Sequence, residues 1–252
     1  MLSCALQSGS NGNCIYVETG DVRLLFDAGI SGRSARERLA EHGRDVRAVD
    51  ALLVTHNHSD HVCGVGVFHR MFKLPVYATG GTWRRCQGEL GKVEGVRCFE
   101  AGAVLTFGET LVYSVATAHD GTEGVAYVVE SQGVRLGIFT DLGHRFKGIE
   151  QWVESLDGMY LESNYDPEML ARGDYPQWLK NRVSGSGGHL SNEEAGRLVA
   201  DCGGRLRFWV LSHLSANNNR PELALATARG CVGGGLALSV ASRTGVSEMM
   251  EL

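Results

Sequence analysis

The chain has 252 residues, 43% of them hydrophobic and 21% charged, a balance that fits a large folded domain with a buried core and excludes intrinsic disorder. Its 34 glycines make up about 13% of the chain against a usual ~7%, while proline falls to 4 residues. With no repeating glycine period, this excludes collagen and proline-rich linkers and assigns the glycines to tight loops inside the fold. The net charge of −5 does not exclude a nucleic-acid partner, because a local site can supply the positive field.

The longest apolar runs, such as 51–54, are strand length and far below the ~18 residues of a membrane span, so no membrane partner is expected. The opening Met1 to Gln7 has no basic stretch followed by an apolar one, the pattern of a secretory signal. Seven cysteines without a Cys-x-x-Cys pair disfavour a disulfide framework and point to a reducing cytoplasm. No stretch reads as an interdomain linker, and a single domain over 1–252 is expected.

Taken in chain order, 14–18 and 22–26 read as a hairpin turned by Thr19-Gly20-Asp21, and a helix follows over 33–41. The run 49–54 is a buried strand leading straight into His56, and a helix is expected over 62–72. Strands are expected at 75–78, 104–107, 111–116, 126–130, 135–139, 158–162 and 207–211, with helices near 148–155 and at 192–202. An internal echo links Val22 to Gly29 with Val134 to Gly143, and Leu52 to His56 with Trp209 to His213. It implies two similar β-rich halves.

The sharpest motif is Thr55-His56-Asn57-His58-Ser59-Asp60-His61. His56 and His58 stand two apart at a strand end, so both rings can point to one side, and Asp60 and His61 follow on the turn into the next helix. Imidazole and carboxylate together suit zinc or manganese, and this crowding suits a two-metal site. His119, Asp141 and His213 each follow a strand-like run, and each gains weight as a ligand from that shared context. Cys63 reads as a buried small residue, and His42, His69 and His144 as surface or packing residues.

The His-x-His-x-Asp-His motif, with His119, Asp141 and His213 in matching order, resembles the metallo-β-lactamase fold superfamily over about residues 1–215. The resemblance implies an α/β (α+β) fold, a four-layer αββα sandwich with its active site along one edge. It implies two divalent metal ions, Zn or Mn. His56, His58 and His119 would hold one, Asp60, His61 and His213 the other, with Asp141 bridging and Asp27 orienting ligands from behind. The stretches Ser8 to Asn13, Leu161 to Asp166, Gly188 to Asn192 and Leu211 to Ser215 with Asn217 to Asn219 resemble the YycJ/WalJ-like branch, whose members are regarded as nucleases. They are also similar to β-CASP nucleases, without room for the β-CASP insert, and give Glu162 and His189 that family's acidic and Gly-His positions.

The expected function is a metal-dependent phosphodiesterase or nuclease, an exonuclease acting on DNA or RNA through a hydroxide activated by two metals. Asp60 or Asp141 would orient the nucleophile, Glu162 would fix a neighbouring imidazole, and His189 would contact the phosphate or protonate the leaving oxygen. Two alternatives stand beside it: a hydrolase of small esters, lactones or thioesters on the same metal pair, and a metal-binding regulatory protein without activity. Glycines 9, 12, 29, 143 and 185–188 fall in loops beside these residues, whereas 233–235 have no such assignment.

Overall fold

Apolar runs separated by short glycine and asparagine turns shape the N-terminal part of the chain. In the computed structural model, which describes residues 1–252, β1 (Leu2–Gln7), β2 (Cys14–Thr19) and β3 (Val22–Phe26) form an antiparallel meander. Helix α1 (Gly32–Glu41), N-capped by the Ser31 hydroxyl, leads to β4 (Ala51–Leu53), which lies parallel to β3. After α2 (Ser59–Val62) and α3 (Val65–Phe72) come β5 (Val76–Thr79), α4 (Gly80–Cys86) and β6 (Arg97–Phe99), the two strands added in parallel. Strands β7 (Val104–Phe107) and β8 (Thr110–Ala116) form a hairpin.

A second antiparallel hairpin, β9 (Val125–Ser131) and β10 (Val134–Phe139), is followed by α5 (Ile149–Glu154) and by β11 (Gly158–Glu162), parallel to β10. Helices α6 (Pro167–Arg172), α7 (Gln177–Val183) and α8 (Asn192–Cys202) precede β12 (Phe208–Ser212), and α9 (Pro221–Val232) precedes β13 (Ala237–Val240). Both strands extend the parallel run, and β14 (Met250–Glu251) pairs antiparallel with β1. No helix is long and apolar enough to cross a membrane.

The chain resolves into two compact units, one of Met1–Ala116, Gly121–Val125 and Ser242–Leu252, the other of Thr117–Asp120 and Ala126–Ala241. In the first the strands run β14-β1-β2-β3-β4-β5-β6, and in the second β13-β12-β11-β10-β9. Leu6, Tyr16, Leu25, Leu52 and Phe68 are fully buried in the first, as are Tyr127, Tyr160 and Trp209 in the second. Each such side chain contributes about 1.5–3 kcal/mol relative to leaving it exposed.

The elements expected from the sequence are present with ends moved by one or two residues, except the helix over 62–72. That stretch is two helices, because the chain turns at Cys63-Gly64, where the Gly64 N–H donates to the Ala28 carbonyl at 2.7 Å. β1, β6, β13, β14, α4, α6, α7 and α9 were not anticipated. Several, such as the six-residue α6, are too short to carry a period.

The parallel register places Phe26 opposite Leu53, so Asp27 and Thr55 leave their strands together. Around them the Asn13 N–H donates to the Asp60 carbonyl and the Ala28 N–H to the His61 carbonyl, each at 2.8 Å. Gly29 sits so close to this crossing that a β-carbon there would lie 1.6 Å from the Asp60 carbonyl oxygen. Gly29→Ala is therefore expected to lower stability by about 2–3 kcal/mol through backbone displacement. Thermal unfolding compared with Gly20→Ala, where nothing lies within 4 Å, checks this; equal melting of the two variants would contradict it.

Candidate metal centre

In the first unit the strand β4 ends at Leu53, and the next residues turn their polar side chains around one buried carboxylate. Asp27, 3% exposed, accepts the Thr55 N–H at 2.8 Å and the Thr55 hydroxyl at 2.8 Å, and stands 2.7 Å from His61 Nδ1. This contact holds a proton on Nδ1 and leaves His61 Nε2 with its lone pair, the form in which imidazole binds a metal. Thr55 Oγ1 also lies 3.0 Å from His56 Nδ1, so the same hydroxyl orients a second ring. His56 Nε2 and His58 Nδ1 approach to 3.0 Å, and His61 Nε2 lies 3.7 Å from Asp60 Oδ2. His56 and His61 are buried, while His58 and Asp60 are half-buried. Asn13 joins the group, with its amide nitrogen 3.0 Å from His61 Nε2 and 3.4 Å from Asp60 Oδ2.

In the second unit the candidate residues leave the ends of β10, β11 and β12, where the parallel register sets Phe139 beside Leu161 and Glu162 beside Ser212. Asp141 Oδ1 lies 3.3 Å from both His189 Nδ1 and His213 Nδ1. Glu162 is wholly buried: Oε1 accepts the Leu142 N–H at 2.8 Å and the Leu190 N–H at 3.2 Å, and Oε2 meets His189 Nδ1 at 3.0 Å. His119 Nδ1 donates to the Gly188 carbonyl at 2.7 Å, which leaves Nε2 with its lone pair, 3.8 Å from Asp141 Oδ1. His213 is flanked by Asn164, whose amide nitrogen donates to the His213 carbonyl at 2.9 Å. Asp141, Glu162, His189 and His213 each offer one atom, all within 4.8 Å of one another.

Asp27, Asp141 and His213 hold positive φ angles of 64°, 55° and 55° although none is glycine. Such backbone costs about 1–3 kcal/mol at each position and persists where the surroundings over-determine it. Gly143 plays the complementary part: at φ 82° a β-carbon would lie 2.8 Å from the His119 N–H and the Ser186 carbonyl.

The structure thus groups His56, His58, Asp60 and His61 with Asp27 in one unit, and His119, Asp141, His213, Glu162 and His189 in the other. Cys63, expected to be buried, is exposed, and desolvation together with the Asp60 carboxylate pushes its thiol pKa up. His42, His69 and His144 bond to the Ser247, Leu74 and Ser186 carbonyls. Asn13, Thr55 and Asn164 also belong to these groups, although the sequence motifs do not mark them as site residues. The glycine- and asparagine-rich stretches that hold Asn13 and Asn164 were the available signal, while Thr55 was visible only as the residue before His56. The donor set fits a divalent transition metal, being imidazole and carboxylate with most ring orientations set by a second hydrogen bond.

Asp27→Asn keeps the volume but loses one carboxylate acceptor behind Thr55 and His61. Metal affinity, read by competition with a chelator, is expected to fall about 10–100-fold. An unchanged affinity would show that Asp27 does not orient a ligand.

Comparison with known proteins supplies the context. The Metallo-beta-lactamase superfamily profile matches residues 8–155. Exodeoxyribonuclease YycJ of Bacillus anthracis is 37% identical over 225 residues, 87% of this chain and 84% of that protein. Exodeoxyribonuclease WalJ of Streptococcus pneumoniae serotype 2 (strain D39) is 39% identical over 227 residues, 88% and 84% of the two chains. Among solved structures, the metallo-beta-lactamase fold protein YhfI from Bacillus subtilis superposes with a TM-score of 0.76 at 18% identity, covering 98% of this chain and 99% of its own.

Proposed function

The chain belongs to the metallo-β-lactamase superfamily, and on that premise we propose that it is a metal-dependent nuclease, an exonuclease with DNA as its first substrate class. The observation that carries the reading is the Glu162–His189 pair at 3.0 Å beside Asp141 and His213. The names of the YycJ and WalJ relatives support a phosphodiester substrate over a lactone or thioester. Their matches run through both units, which supports residues 1–252 as one domain, and the seven free cysteines support a reducing cytoplasm.

Two divalent ions, Zn or Mn, are proposed, with His56, His58, Asp60 and His61 as ligands from the first unit and His119, Asp141 and His213 from the second. When bound, such ions neutralise phosphate charge and bring the pKa of water towards neutrality. The protein's own groups do the rest. The Asp60 carboxylate, half-buried next to His61, orients the attacking water. Glu162, held by two backbone N–H groups, fixes the His189 ring through Nδ1. The other ring nitrogen of His189, whose side chain is 19% exposed, then contacts a phosphate oxygen or gives a proton to the leaving oxygen.

The test is turnover of a 5'-labelled DNA duplex and bis-p-nitrophenyl phosphate beside a lactone and a thioester, with Zn or Mn supplied. Hydrolysis of the phosphodiesters is expected, and cleavage of the carbonyl substrates alone would overturn the reading. His189→Ala is expected to lower kcat on the duplex by roughly 10²–10⁴-fold, the usual range for general acid–base catalysis. A variant with wild-type kcat would remove His189 from the reaction.

A further inference from the structure

The second unit contains a cavity of about 470 Å³ that the proposed chemistry does not use, lined by residues that include Gly173, Tyr175, Asn217, Asn218 and Arg220. Its size is within the range of roughly 300–1,000 Å³ typical of small-ligand sites. Asn218 is 1% exposed, yet neither its amide nitrogen nor its amide oxygen has a hydrogen-bond partner in the protein. A buried carboxamide left in that state costs free energy, and natural folds retain one where a ligand or water completes it. Its backbone is fully engaged, the N–H with Ser215 Oγ at 3.2 Å and the carbonyl with the Asp166 N–H at 2.8 Å, so the main chain that carries the carboxamide is held in place. Gly173 leaves it room, since a β-carbon there would come within 2.9 Å of Asn218 Oδ1.

The cavity is tied to the metal-binding residues by one polar chain. Asn219, next in sequence, donates to the Ser163 and Asn164 carbonyls, and Asn164 donates to the carbonyl of His213. Around the opening stand the half-buried Tyr175 ring and the exposed Arg220 guanidinium, with the Asn217 amide donating to the Tyr175 hydroxyl at 3.1 Å. A carboxamide that donates and accepts side by side matches the edge of a nucleobase, an aromatic ring can stack on its face, and a guanidinium can pair with its phosphate.

We propose that this cavity is a nucleobase-binding pocket that receives a base near the scissile phosphate, with the Asn218 carboxamide reading the base edge. The proposal rests on the nuclease reading, and its test separates the two. Binding of AMP, GMP, CMP and dTMP to the full chain is followed by NMR in the wild type, in Asn218→Ala and in Tyr175→Ala. At least one mononucleotide is expected to shift the Asn218 side-chain amide resonances, and each substitution to weaken its binding roughly tenfold. On oligonucleotides, replacing successive terminal bases by an abasic unit is expected to raise KM about tenfold at one position in the wild type. In Tyr175→Ala that penalty shrinks, a change that mere loss of stability would not produce. Failure to bind any mononucleotide, or identical KM for intact and abasic strands at every position, would overturn the pocket while leaving the nuclease reading intact. If no oligonucleotide is cleaved but a mononucleotide binds through Asn218, the nuclease reading fails and the pocket stands.

Discussion

The buried carboxylate that pins an imidazole is the interaction on which the rest depends. A carboxylate in a core is costly unless its oxygens are met by donors. Asp27 meets that condition with the Thr55 N–H, the Thr55 hydroxyl and His61, and Glu162 with the Leu142 and Leu190 N–H groups and His189. The donors come from neighbouring strand ends and the loops that follow, so the carboxylates can be buried only if the sheets form in the correct register. In return each fixes a ring nitrogen, and the imidazoles beside the strand ends are held in set orientations.

The two units reach this arrangement by the same local route. In each, an antiparallel hairpin (β2-β3 or β9-β10) is followed by a parallel neighbour (β4 or β11), and an aspartate with positive φ stands one or two residues past the second hairpin strand. Asp27 serves as a support for Thr55 and His61, whereas Asp141 faces His189 and His213 directly. The echo between 22–29 and 134–143 in the sequence corresponds to this shared geometry, with the two aspartates used differently. At His213 the chain again takes positive φ, at the carboxyl end of β12.

Most strands were legible because fully buried strands are apolar runs bounded by glycine, as at Gly158–Glu162. The candidate metal ligands were legible because four strong ligands, three imidazoles and one carboxylate, within six residues have few other uses. What was not legible depends on distant pairing. β14 is a strand because it pairs with β1 across nearly the whole chain, and β6 is a three-residue strand defined by β5. Asn13 reaches His61 from 48 residues away, and no local pattern marks that contact. The Asn217 to Asn219 run was visible as a motif, but its division of labour was not: Asn219 is consumed by backbone carbonyls, while Asn218 is buried without a partner.

The central proposal is that imidazoles held by a buried acceptor near strand ends, His61 by the Asp27 carboxylate and His119 by the Gly188 carbonyl, bind divalent metal through their other ring nitrogen. Anomalous X-ray diffraction from crystals grown with Mn or Zn tests it most directly. Two anomalous peaks are expected, one within bonding distance of His61 Nε2 and one of His119 Nε2, the ring nitrogens left with lone pairs by Asp27 and the Gly188 carbonyl. A single peak, or peaks bound elsewhere with both nitrogens uncoordinated, would contradict it.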